Sequence, residues 1–164
     1  MRILFLGDVV GNSGCSKIMN NLLNQIELKK IDFVIVNGEN ADQSGVGLSK
    51  KICEDFFNCG VNVITTGNHV WDQKDIMNFI DKENRLLRPK NLFEPSPGKG
   101  FEIYNTPANI KIGVLNLMGN IFMKKNSVKH FPATGEGTLS GVIVDCDVET
   151  GLARKIESYI LGEL

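Results

Sequence analysis

At 164 residues, 42% hydrophobic and 23% charged, the chain has the size and composition of one soluble domain with a continuous core, expected to run 1–164. A net charge of −1 gives no global field to draw it onto nucleic acid or an anionic membrane, and pairs such as Lys29-Lys30 and Lys124-Lys125 read as solvated surface. No apolar run approaches the roughly 20 residues that span a bilayer, and the N-terminal apolar stretch is too short for a signal peptide, so the expected compartment is the cytoplasm.

The first half of the chain alternates regularly. Ile3 to Leu6 is a short continuous apolar run, as a strand covered on both faces requires. Ile18, Met19, Leu22, Leu23 and Ile26 follow at helical spacing, with Ser13 or Ser16 near the start as a cap. Phe33-Val34-Ile35-Val36 reads as the second strand. Leu48, Ile52 and Phe56 mark a second helix that ends at Gly60, where a left-handed residue is expected. Val61, Val63 and Ile64 make a third strand running into Thr65-Thr66-Gly67. Asp72 is placed to cap a third helix with Ile76, Phe79 and Ile80 on its apolar face. This β-α-β-α-β-α order is that of a parallel sheet with right-handed crossovers.

The second half differs. Pro89, Pro95, Pro97, Gly98 and Gly100 punctuate a loop-rich passage. Phe101 to Tyr104 and Ile110 to Leu117 read as strands joined by Pro107-Ala108-Asn109, and Gly119 to Gly137 carries no clear period. Thr138 to Cys146 and Ala153 to Ile160 alternate around Glu149-Thr150-Gly151 as a hairpin. Cys15, Cys53, Cys59 and Cys146 show neither a C-x-x-C pair nor a zinc-like spacing, and they read as free thiols.

Three short motifs close the first three strands: Gly7-Asp8-Val9-Val10-Gly11, Gly38-Glu39-Asn40 and Gly67-Asn68-His69. In a parallel sheet, ligands gather outside the carboxyl ends of the strands. Two carboxylates, two amides and an imidazole are thereby delivered to one edge, a mixture that suits hard or borderline cations such as manganese and iron. Taken singly, Asp8 reads equally as a turn residue, Glu39-Asn40 as loop polarity and Asn68 as a turn former; only the joint placement points to a site. Gly7, Gly11 and Gly14 sit at a strand-to-helix turn but do not have the G-x-G-x-x-G spacing, and Asp8 would oppose a pyrophosphate, which argues against a dinucleotide cofactor. The same glycines could instead help hold a substrate phosphate.

With these motifs, Thr66-Gly67-Asn68-His69-Val70-Trp71-Asp72, Arg88-Pro89 and Pro97-Gly98-Lys99-Gly100, the chain resembles the bacterial YmdB-like metallophosphoesterases of the calcineurin-like superfamily. The resemblance runs over residues 1–123 and resumes in the C-terminal hairpin, 137–164. It implies a metallophosphoesterase-like αββα sandwich and an enzyme that hydrolyses 2′,3′-cyclic nucleotides or related phosphodiesters with two iron or manganese ions. By motif, Asp8 and Asn40 would hold the first metal, Glu39 would bridge both, Asn68 would hold the second, and His69 would be the catalytic proton donor. The implied partner is a phosphodiester or cyclic nucleotide substrate, and a homo-oligomer is left open.

The chain also departs from the family. It has two histidines, His69 and His130, and the family's later histidine motifs have no counterpart between Met118 and Gly137. An internal segment is therefore expected to be missing, and with it ligands of the dinuclear cage and strands of the second sheet. Metal affinity and catalysis should fall, and apolar surface should be uncovered unless the hairpin or a partner covers it. His130, in Val128-Lys129-His130-Phe131-Pro132, matches no ligand motif and is expected to lie away from the site. The alternative to an enzyme is a non-catalytic remnant acting as a binding or assembly module.

Overall fold

The structure is a computed structural model that describes residues 1–119 and 135–162. Their elements, in chain order, are β1 (Arg2–Leu6), α1 (Gly11–Lys29), β2 (Phe33–Asn37), α2 (Lys50–Asn58), β3 (Val63–Thr65), α3 (Ile76–Phe79), β4 (Leu86–Leu87), β5 (Phe101–Asn105), β6 (Lys111–Leu115), β7 (Leu139–Cys146) and β8 (Ala153–Leu161). Among the described residues they form a six-stranded sheet in the order β4-β3-β2-β1-β7-β8 and a two-stranded sheet of β5 and β6. β1 to β4 are mutually parallel. The fold is thus mixed α/β with a mostly parallel central sheet, and its C-terminal hairpin joins that sheet antiparallel to β1.

The alternation of side chains across each strand builds two cores. Leu4, Leu6, Val34, Val36 and Ile64 face the helices and pack with Ile18, Leu22, Phe56, Ile76 and Ile80. Phe33, Val63 and Leu87 face the opposite way and meet Ile112 and Val114 of the small sheet. Each fully buried side chain of this size contributes about 1.5–3 kcal/mol of burial free energy. Because both faces of β2 and β3 are covered, their sequences are continuous apolar runs, as expected of buried parallel strands.

Several local expectations are corrected. Ser13 and Ser16 lie inside α1, whose N-cap is Val10 with no side-chain cap. The helix begins early because Val10 bridges to Asn40 and Gly11, at φ +59°, donates its N–H to the Asn40 carbonyl. Met19 and Leu23 lie at the margin of the buried stripe, largely exposed, and Gln25 is buried instead. Asp72 caps no helix. α3 is a single turn beginning after Asp75, and the Asp75 carboxylate accepts the Lys50 N–H at the start of α2. β4 has no sequence signal, since two residues are too few to show a period. α2 follows expectation, with Ser49 Oγ accepting the Ile52 N–H at its start and Gly60 at φ +93° beyond its end. The four cysteines are free thiols.

The hairpin lengthens the large sheet edge-on and covers neither face. It is locked to β1 by close backbone approach: a Cβ on Gly141 would fall 2.0 Å from the Phe5 carbonyl oxygen. The Arg2 guanidinium forks onto Asp145 at 2.6 and 2.9 Å. At its turn the Asp147 carboxylate accepts the Glu149 and Thr150 N–H groups. The small sheet packs over β2 to β4 and reaches Ile3 of β1, and Phe5, Ile156 and Ile160 are left exposed. No helix among the described residues is long and apolar enough to cross a membrane.

Candidate functional site

The loops after β1, β2 and β3 continue the hydrogen-bonded ladder beyond the strands, and this holds the three motifs together. Val9 N–H donates to the Asn37 carbonyl at 3.0 Å, and Gly38 N–H to the Thr65 carbonyl at 3.0 Å. Thr66 N–H and Oγ1 both donate to the Leu87 carbonyl. Asn116, buried at the end of the small sheet, donates its amide to the Thr66 and Leu87 carbonyls at 2.8 and 3.0 Å. The residue belongs to no sequence motif; it ties the second sheet to the backbone directly before Gly67.

On that frame Asp8 and Asn40 meet, with Asn40 Nδ2 donating to Asp8 Oδ1 at 2.9 Å. Glu39 reaches the third loop, where its Oε1 accepts the His69 backbone N–H at 3.3 Å. Gly67 makes room for that carboxylate: a Cβ there would fall 1.9 Å from Glu39 Oε2. The His69 ring is held in turn, Nδ1 lying 2.7 Å from Asp72 Oδ2. Asn68 follows Gly67 on the same loop, exposed to solvent. The structure therefore brings Asp8 to Asn40 and Glu39 to the backbone of His69. His130 lies outside the described residues.

Asp72 has the sequence position of a helix cap, but its carboxylate is placed on the His69 ring instead. The signal lies in the spacing: the two residues stand at i and i+3, and Asp72 N–H donates to the His69 carbonyl at 3.1 Å to close the turn. The glycine amides considered for a phosphate are all spent. Gly7 N–H donates to the Ser140 carbonyl, Gly11 to Asn40 and Gly14 to Val10. The strand-to-helix turn is thus not a phosphate cradle.

The donor set has the hard-oxygen character that suits a divalent cation. Its anionic part is limited to Asp8 and Glu39, and among the described residues no group of three or more His, Cys, Asp or Glu converges as a metal site. The residues fit the oxygen half of a cation centre. A cleft of about 560 Å³ between the two sheets borders this edge, lined by Phe5, Ile35, Asn37, Thr65 and Asn116 among others. Asn37 Oδ1 accepts the Glu39 N–H at 3.3 Å, so the cleft wall and the carboxylate share one loop.

Known proteins share this arrangement of elements. The model of the YmdB-like protein family matches residues 4–136. A 2′,3′-cyclic-nucleotide 2′-phosphodiesterase of Bacillus subtilis (strain 168) is 44% identical over 124 residues, covering 75% of this chain and 46% of that protein. A putative phosphatase/phosphodiesterase of Mycoplasma pneumoniae is 40% identical over 124 residues, 73% of this chain and 43% of that one. The chain spans less than half the length of these curated relatives. Among solved structures, a hypothetical protein from Thermus thermophilus superimposes with a TM-score of 0.82 at 19% identity, covering 98% of this chain and 99% of that one. A novel phosphatase from Mycoplasma pneumoniae gives 0.83 at 23% identity, covering 98% and 93%. At these identities the two structures speak for the fold.

Proposed function

The chain belongs to the YmdB-like protein family, and from that premise we propose that it carries part of a metal-dependent phosphodiesterase site for 2′,3′-cyclic nucleotides or related phosphodiesters. The observation that carries this reading is the meeting of three strand-end motifs on one sheet edge, with Asp8 on Asn40 and Glu39 on the loop of His69.

Asp8 and Asn40 would hold one divalent cation, manganese or iron, with Glu39 shared and Asn68 on the side of a second. Bound there, such an ion supplies Lewis-acid polarisation of the phosphoryl oxygens. The remaining work falls to the protein. Gly67 lets the Glu39 carboxylate lie against the loop backbone, so the carboxylate and the His69 loop are fixed relative to each other. His69 donates a proton to the departing ribose oxygen, the role of a general acid. With two carboxylates and no imidazole ligand in the set, the cation is held weakly, and turnover is low relative to a complete centre.

The second reading is a non-catalytic binding or assembly module. It is favoured by the lack, among the described residues, of a third His, Cys, Asp or Glu ligand. Hydrolysis of 2′,3′-cyclic AMP by the purified chain, with added manganese and with Asp8→Ala and His69→Ala alongside, separates the two. Slow turnover that needs manganese and disappears in both variants supports the phosphodiesterase. Turnover equal in wild type and both variants, or none at all, supports the module.

A further inference from the structure

The far end of the large sheet has a surface that the candidate site does not use. β8 is the last strand in the order β4-β3-β2-β1-β7-β8, and among the described residues nothing pairs with its outer side. Such an edge presents a row of N–H and C=O groups to any strand that can lie beside it, and proteins usually guard it with proline, a bulge or unpaired charge. From Lys155 to Leu161 there is no proline and no break in the register with β7. The charges are neutralised locally, Lys155 by Glu157 and Arg154 by Asp147.

A groove runs along this edge. Residues 157–161 of β8 line a cavity of about 490 Å³ together with Gln25, Leu28 and Lys29 of α1. Successive side chains of a strand alternate between faces, so a cavity bounded by five in a row follows the edge itself. Tyr159 is 6% exposed, and its hydroxyl is buried without a hydrogen-bond partner among the described residues. A buried hydroxyl left in that state is costly, and folded proteins ordinarily give it a partner. Apolar side chains flank the edge on both faces: Leu28 on the helix side, Ile156 and Ile160 on the other, all half exposed or more.

We propose that a second copy of this chain lays its own β8 antiparallel to this one about a two-fold axis at Ser158, joining two six-stranded sheets into one. Opposed residues of an antiparallel pair share a face, so only every second register is open. With Ser158 opposite itself, Ile156 faces Ile160 of the second copy, and symmetry repeats the contact. On the helix side Tyr159 stands opposite Glu157 of the second copy, which brings a carboxylate acceptor beside each orphan hydroxyl. The neighbouring registers do neither. Centring on Glu157 sets like charges directly opposite, which is unfavourable, and puts Ile156 against Ser158. Centring on Ile156 places Tyr159 opposite Ala153, which has no polar side chain, and centring on Tyr159 sets Glu157 against Leu161. Both α1 helices lie on one face of the joined sheet, with an exposed Leu28 on each side of the joint. Assembly at this edge needs neither cation nor turnover.

Light scattering on the purified chain over a dilution series gives its mass in solution, and twice the mass of the chain is expected. Alanine at 156 or 160 leaves the backbone pairing in place, so the disrupting variant carries charge. Ile156→Lys combined with Ile160→Lys sets cations against each other across the joint and should run as the monomer, with circular dichroism equal to wild type because both residues are exposed. Leu152→Lys, exposed and outside the paired stretch, should stay dimeric. A cysteine reads the register. Directly opposed Cα atoms lie about 4.5–5.5 Å apart, within the reach of a disulfide, so Ser158→Cys should give a linked dimer under oxidised glutathione. Ile156→Cys should not, since its counterpart lies roughly 13 Å away along the strand. A monomer at every concentration overturns the proposal; protected β8 amides in that monomer would show that another segment of the same chain takes the edge. A dimer that the double lysine variant leaves intact overturns it equally. A dimer broken by the lysines in which Ser158→Cys fails to link overturns the axis at Ser158.

Discussion

The two halves of the large sheet are built differently. β1 to β3 lie in the covered part, helices on one face and, over β2 to β4, the small sheet on the other; Leu4, Val36 and Ile64 are fully buried. β8 is open along nearly its whole length, with Tyr159 its one buried side chain among the described residues and Ile156 65% exposed. The candidate site grows from the covered half, where loop after loop is pinned by backbone hydrogen bonds. The hairpin adds a pairing partner for β1 and, through the Ser140 carbonyl, one hydrogen bond to Gly7. Position of the site residues is thus determined by the covered half, and the hairpin supports it from the side.

The largest effect should come from emptying the covered half. Phe56, on α2, is fully buried, and Phe56→Ala should cost about 3–5 kcal/mol in urea unfolding. Ile156→Ala on the open strand should stay within about 0.5 kcal/mol. Similar losses for the two would erase the distinction between the halves. Gly141→Ala tests the join. Its Cβ would press on the Phe5 carbonyl, backbone that cannot turn aside, and overpacking of this kind costs about 1–3 kcal/mol. A neutral result would mean that the hairpin is not held as closely as the structure shows.

A smaller effect should appear with pH. The Arg2 guanidinium holds the Asp145 carboxyl below its usual range, and backbone N–H donors with Arg154 do the same, more strongly, for Asp147. For a depressed carboxylate, the added stability is present above the unfolded value of about 3.9 and is lost as pH falls through the lower folded value. Unfolding midpoints should therefore fall as pH drops below about 4, and Asp145→Asn should flatten part of that decline. An unchanged slope in the variant would show that the Arg2 pair contributes nothing measurable at the join.

Much of this architecture was legible because its signals are local. Continuous apolar runs at Ile3–Leu6 and Phe33–Val36 announce strands covered on both faces, and a glycine before each polar cluster marks the strand ends. The hairpin showed itself through alternation around Glu149-Thr150-Gly151. What failed depended on partners distant in sequence or on a competing local partner. Asp72 has the composition of a cap, yet the ring of His69 claims it. Ser13 and Ser16 look like caps, yet pairing of Val10 with Asn40 starts the helix earlier. The glycine amides look free for a phosphate until Ser140 and Asn40 are placed against them. Asn116 carries no motif at all, and its importance lies in two carbonyls from other strands.

Calorimetric titration of the purified chain with manganese, alone and with Asp8→Ala, Glu39→Ala and Gly67→Ala, bears on the proposed site without passing through turnover. Asp8 and Glu39 are its anionic donors, and a Cβ at Gly67 would displace the Glu39 carboxylate. Weak binding is expected for the wild type, lost in each of the three variants. Binding that persists unchanged in all three would refute the proposed cation centre.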